Sequence, residues 1–206
     1  MAVTAKEVKA LRDLTGAGPL DCKKALDKFD GDMDKAVEFL AQKALERGEK
    51  IQGKGRAANE GIVGNYIHHD QRLAVIVEIN CETDFVANTD KFRAFAKDIA
   101  MHIANLKPQY VKREDVPADV VEAEKKVQLN RALEEGKPAD IAEKMVDGRM
   151  NKWYGEIVLM EQPFIKDDDK TILKLVEETV AEVGETINIG AFKRIAIGEV
   201  ADTEEE

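Results

Sequence analysis

Apolar residues recur three and four positions apart through the first part of the chain: Val8, Leu11 and Leu14, then Ala25, Leu26 and Phe29, then Met33, Ala36, Val37, Leu40 and Ala44. That spacing places each set on one face of a helix and predicts three short helices. Thr4-Ala5-Lys6-Glu7 has capping-box spacing ahead of the first. Thr15 to Gly18 ends it, and Pro19 suits the opening position of the second. Gly31 and Asp32 break and cap the third. Together they predict a bundle over residues 1–46. RGEKIQGKGRAANE, residues 47–60, is polar, basic and glycine-containing, and is expected to be a linker.

At Gly61 the pattern changes. GIVGNYIHHDQRLAVIVEIN holds two β-rich runs around a polar turn at His68 to Gln71, which predicts a hairpin. Its second run, Leu73 to Ile79, is nearly all apolar, as expected of a strand covered on both faces. A helix is expected from Asn88 or Thr89, carrying Phe92, Phe95, Ala96, Ile99, Ile103 and Leu106, and Pro108 stops it. Pro117 to Glu135 and Lys137 to Trp153 predict two helices joined at Gly136. Their narrow apolar seam among many charges suggests an antiparallel helical hairpin, about residues 117–153, projecting from the body. Tyr154 to Leu159 has the composition of a strand. Beyond Pro163 and the acidic turn Asp167 to Asp169, a helix carries Ile172, Leu175, Val176, Thr179 and Val183. INIGAFKRIAIGEV, Ile187 to Val200, closes the sheet as one interrupted strand or two. The predicted class is α+β: a three-helix bundle like the ubiquitin-associated kind, a linker, a 61–200 core of a small antiparallel sheet with packed helices, and a flexible acidic tail at 201–206.

Composition narrows the function. Charged residues make up 35% of the chain, against about a quarter in an average globular protein, so much of the surface is solvated helix face. The net charge of −10 argues against a general nucleic-acid binder, because phosphate contacts need a basic footprint. No stretch approaches the roughly 20 apolar residues of a membrane span, and MAVTAKEVKALRDL lacks a continuous apolar signal core. A cytoplasmic protein meeting protein partners is expected. Cys22 and Cys81 share no CxxC motif and read as small buried hydrophobes. Gly53-Lys54-Gly55-Arg56-Ala57-Ala58 formally matches a dinucleotide fingerprint, but no strand precedes it. His68, His69 and Asp70 are explained by a turn without a metal. No catalytic constellation assembles, so neither cofactor, metal nor covalent chemistry is expected.

Four segments carry more specific information: LRDLTGAGPLDCKKAL (Leu11 to Leu26), VEINCETDFVAN (Val77 to Asn88), AMHIA (Ala100 to Ala104) and GKPADIAEKMVDGRM (Gly136 to Met150). Together and in this order they closely resemble bacterial elongation factor Ts, in a short form with a single core module. The resemblance implies guanine-nucleotide exchange on elongation factor Tu, in its GDP-bound and nucleotide-free states, without covalent chemistry, direct nucleic-acid contact or a membrane. It implies that the Thr83-Asp84-Phe85-Val86 turn enters the partner near its magnesium and phosphate site. It also puts Lys9, Arg12, Pro19 and Leu20 at N-terminal docking positions, and His102 at a contact position of the core. Composition alone makes Phe85 a core residue or helix staple; the motif turns it outward.

Two departures accompany the resemblance. Pro19-Leu20 stands where longer members often carry two methionines. The chain has one core module where the common form has two related halves, and short members are homodimers, so a homodimer formed partly through the sheet or its exposed edge is expected. The competing reading is a docking protein whose bundle binds ubiquitin-like folds. A relative that binds Tu without accelerating exchange and a metal- or thiol-dependent enzyme stand behind it.

Overall fold

The computed structural model describes residues 3–136 and 138–199. The chain divides into two compact units, one made of the residues up to Arg56 together with Glu177–Thr186, the other of Ala57–Val176 and the residues from Ile187 onward. The 201–206 tail lies outside the described residues.

The first unit is built on α1 (Ala5–Thr15), α2 (Pro19–Lys28) and α3 (Met33–Gln52). The capping box at the start of α1 is formed: the Glu7 backbone N–H donates to Thr4 Oγ1 at 3.3 Å, and the Thr4 N–H donates to the Glu7 carboxylate at 2.7 Å. Gly16 closes α1 in the left-handed conformation at φ 67°, which a side chain would strain. The Asp32 carboxylate caps α3 by accepting from the Lys35 N–H at 3.1 Å. Leu11, Cys22, Ala25, Leu26, Ala36 and Leu40 form the core between the helices. Each fully buried leucine contributes roughly 1.5–3 kcal/mol.

Here the structure corrects the expected boundaries. α3 runs to Gln52, six residues into the segment read as the 47–60 linker, because Gly48 and Ile51 fall on its buried face. Tertiary burial overrides the weak helix propensity of glycine. A Cβ on Gly48 would lie 2.2 Å from the Glu177 carbonyl oxygen, so glycine lets two helix backbones meet. Thr186 Oγ1 donates to the Ile51 carbonyl at 3.5 Å. Residues 177–186, assigned from sequence to the 61–200 core, therefore belong with the bundle, which does not end at residue 46.

In chain order the second unit holds β1 (Glu60–Ile67), β2 (Leu73–Cys81), α4 (Asp84–Ala87), α5 (Asp90–Leu106), α6 (Ala118–Glu134), α7 (Ala139–Ile157), β3 (Pro163–Phe164), β4 (Asp167–Thr171), the start of α8 (Ile172–Val183), and β5 (Asn188–Ala196). The class is α+β. β1, β2 and β5 form an antiparallel sheet in that order, with Val63 opposite Glu78 and Ala74 opposite both Ile67 and Ile195. Val75, Val77, Ile79 and Cys81 alternate onto a buried face, and α5 lies against β1 and β2. Phe92, Phe95, Ile99 and Ile103 on that helix are buried in turn.

β2 is not covered on both faces. Val63, Ile67, Ile76 and Ile195 line the opposite side of the sheet and are exposed by between 53% and 70%. α6 and α7 pack on one another, burying Ala132, Ala142, Val146 and Met150, and Arg149 Nη2 donates to both oxygens of Glu135 at 2.8–2.9 Å. Tyr154 to Ile157 is the end of α7 rather than a strand. The helix continues through Gly155 to Ile157, and the Tyr154 ring stacks under the Arg113 guanidinium at 4.3 Å. Asp167 to Asp169 opens β4, paired with β3, rather than forming a turn.

Candidate protein-interaction site

The connection from β2 to α5 is a single helical turn. Cys81 ends β2, and its buried thiol donates to the Thr83 carbonyl at 3.2 Å. Thr83 is extended, at φ −133° and ψ 154°, and its Oγ1 accepts from the Val86 N–H at 3.4 Å, which makes it the N-cap of α4. Thr89 serves both sides: its hydroxyl donates to the Val86 carbonyl at 2.8 Å and accepts from the Phe92 N–H at 3.2 Å, capping α5. α4 rests against β1 and β2, with Ala87 buried beneath it.

This packing leaves Phe85 pointing away from the core. Its side chain is 82% exposed, the most exposed of the large apolar residues described. Asp84 beside it is exposed as well, while Thr83 and Val86 are half-buried. A single exposed hydrophobe needs no explanation on its own. A large aromatic raised on a turn capped at both ends is different, because it has the form of an interface anchor.

The four residues of the turn are thus brought together. The N-terminal candidates lie on the other unit: Lys9 and Arg12 are exposed on α1, Pro19 opens α2, and Leu20 beside it is 71% exposed. Leu14 shares the helical spacing of Val8 and Leu11 but is 71% exposed, and of that helix only Leu11 is buried. Its position one turn beyond Leu11 satisfied the helical spacing, which says nothing about whether a neighbour covers it.

His102 is not at a surface. It is fully buried on α5, with its ring 6.2 Å from that of Phe164. Its Nδ1 accepts from the Ile165 N–H at 3.4 Å, and its Nε2 lies 2.9 Å from Gln162 Oε1. Gln162 Nε2 donates to the Glu156 carbonyl at 2.7 Å, which turns Oε1 toward the ring and makes Nε2 the protonated nitrogen. Burial pushes the imidazole pKa below its ordinary value, against a smaller opposite effect of Gln162. A neutral histidine with both nitrogens satisfied ties α5 to the segment around β3.

Among the described residues no helix is long and apolar enough to cross a membrane. The model of the family Elongation factor TS matches residues 11–199. The chain is 53% identical to elongation factor Ts of Carboxydothermus hydrogenoformans, covering 99% of this chain and 93% of that protein. It is 50% identical to elongation factor Ts of Geobacter sulfurreducens over 100% of this chain and 94% of the relative, and 54% identical to that of Acetivibrio thermocellus over 99% and 94%. The chain belongs to the elongation factor Ts family. The match spans nearly the whole of each of these relatives. The one local element that the sequence reading passed over in this family motif is α4 itself. Thr83 three positions before Val86 has N-cap spacing, a signal that was present but belonged to a helix of only four residues.

Proposed function

We propose that this protein is a guanine-nucleotide exchange factor for elongation factor Tu, acting in the cytoplasm, with the bundle as a docking module of the ubiquitin-associated kind and the α4 turn as the element that releases nucleotide. The observation that carries the reading is Phe85, 82% exposed on a capped turn within the family motif. A rigid phenyl ring inserted between partner helices displaces backbone that coordinates phosphate and magnesium, and Asp84 takes hydrogen bonds that steadied the nucleotide site. No bond is made or broken. Factor and nucleotide each weaken the other's hold on the GTPase, and thermodynamic linkage makes that coupling reciprocal. Lys9, Arg12, Pro19 and Leu20 supply encounter and docking.

The test is release of a fluorescent GDP from elongation factor Tu, titrated with this protein. Phe85→Ala lowers the release rate at saturation by on the order of 30-fold, the equivalent of about 2 kcal/mol for a hot-spot aromatic. The double variant Lys9→Glu/Arg12→Glu raises the concentration needed for half-maximal effect and leaves the saturated rate unchanged. Undiminished release by folded Phe85→Ala refutes the role of the turn, and a lowered saturated rate in the charge variant refutes the division of labour.

We further propose that a second copy of the chain covers the apolar outer face of the sheet. Val63, Ile67, Ile76 and Ile195, exposed on three neighbouring strands, support this reading, since an isologous dimer buries one patch against itself.

A further inference from the structure

The release turn has a weakness that its own backbone does not remedy. A four-residue helix is far below the length at which helical hydrogen bonds sustain themselves, and the ring it carries is 82% exposed. Its orientation has to come from side chains that brace it against a longer element.

Asn88, the C-terminal cap of α4, is placed to do this. Its Nδ2 donates to the Asp84 carbonyl at 2.9 Å, the same oxygen that accepts the Asn88 backbone N–H at 3.0 Å. Its Oδ1 accepts from Arg93 Nη2 at 2.9 Å. The two neighbours settle the orientation of the amide: a guanidinium only donates and a carbonyl only accepts. Arg93 lies in the first turn of α5, and α5 is locked to the sheet through buried Phe92, Phe95 and Ile99. A hydrogen-bonded path therefore runs from a rigid helix through Arg93 and the Asn88 amide to the residue immediately before Phe85. The side-chain amide suits the middle position because it offers an acceptor to the cation and a donor to the carbonyl, which an ionised carboxylate, an acceptor only, does not.

We infer that Asn88 and Arg93 are positioning residues for nucleotide release, holding the Asp84-Phe85 turn in its inserting orientation while touching neither nucleotide nor docking surface. This inference rests on the function proposed above. With the brace intact, the ring meets its pocket already oriented, and little ordering is left to be done on binding.

Two measurements on the full chain test it. The first needs no partner: amide hydrogen exchange by NMR at Ala87 and Asn88. Asn88→Asp keeps the link to Arg93 and sets a carboxylate against the Asp84 carbonyl; Asn88→Ala loses both links. In either variant exchange at these amides quickens by about fivefold to tenfold, as expected for one net hydrogen bond, while amides in the middle of α5 are unchanged. The second is GDP release. Both variants lower the saturated rate by at least about threefold without moving the half-saturating concentration. Arg93→Ala does the same, and Arg93→Lys, which keeps a donor, recovers most of the rate. Unchanged amide exchange in Asn88→Ala, or an unchanged saturated rate in a preparation where Phe85→Ala is slow, overturns the inference. If Phe85→Ala is itself as active as the wild type, the role proposed for the turn fails instead, while faster amide exchange in Asn88→Ala still establishes the brace.

Discussion

Gly64→Ala is the substitution that most directly probes the platform beneath the α4 turn. Gly64 lies in β1 opposite Val77, and α5 crosses it so closely that a Cβ there would sit 2.8 Å from the Ala96 carbonyl oxygen, 3.0 Å from its Cβ and 3.1 Å from its carbonyl carbon. Comfortable separations between carbon atoms are about 3.5–4.0 Å, so α5 must retreat by about half an ångström. It cannot do so freely, because Phe92, Ile99 and Ile103 are fully buried along its length. Overpacking of this kind costs about 1–3 kcal/mol. Replacing a strand glycine gives back roughly 0.5–1 kcal/mol of conformational entropy. The expected net loss is about 1–2 kcal/mol.

The assay is urea unfolding followed by the fluorescence of Trp153, the sole tryptophan, which lies in the same unit as Gly64. A second substitution sharpens it. Ala96→Gly removes the methyl group but not the carbonyl oxygen, which belongs to the helix backbone, and a glycine inside a helix itself costs about 1 kcal/mol. The double variant is therefore no more stable than Gly64→Ala alone. Stability of Gly64→Ala within about 0.5 kcal/mol of wild type, or full recovery in the double variant, would show that the approach is relieved by side-chain adjustment, and the argument from backbone contact would be refuted.

Two further outcomes follow from other parts of the molecule. His102 is held neutral by burial, with its folded pKa below the ordinary value, so its contribution to stability is complete above about pH 6.5 and is lost as pH falls from there through the lowered folded value, because the unfolded chain takes the proton more readily. The urea midpoint thus declines as pH falls below about 6.5, and His102→Gln, which has no proton to take, shows a shallower decline; an identical slope would assign the acid sensitivity elsewhere. Ile195→Lys places a charge on the exposed sheet face at a residue already 70% exposed. It leaves the monomer stable to within about 0.5 kcal/mol and shifts sedimentation from dimer to monomer, and a wild type that sediments as a monomer at micromolar concentration contradicts the proposed dimer.

The sequence was legible wherever spacing encodes a face that the chain itself covers. The caps at Thr4, Asp32 and Thr89, the opening proline of α2 and the apolar stripe from Phe92 to Ile103 all stand where residue type and interval put them. It was less legible where tertiary contact reverses a local preference. Gly48 reads as a breaker, yet it sits inside α3 because a backbone elsewhere in the same unit needs the space. His102 carries no local signal of its burial, and only the positions of Gln162 and Ile165, more than fifty residues away, reveal what satisfies its ring.

A third group was misread in one common direction. Leu14 shares the helical spacing of Val8 and Leu11, Ile76 lies in a run with the composition of a strand covered on both faces, and composition alone makes Phe85 a core residue or helix staple; they are 71%, 53% and 82% exposed. Hydrophobic periodicity reports that a position is meant to be covered, but it does not distinguish cover by the same chain from cover by another. A residue that satisfies the apolar pattern and is then found bare has less of that ambiguity, since the described residues supply nothing to bury it. Isolated cases carry little weight on a protein surface. Here Ile76 and Phe85 fall on the outer face of the sheet and on the α4 turn, the surfaces proposed above for a second copy and for nucleotide release, whereas Leu14 lies on the side of α1 away from Lys9 and Arg12. The errors of the sequence reading are therefore informative about partners, because burial that the pattern promises and the monomer withholds is left for a complex to provide.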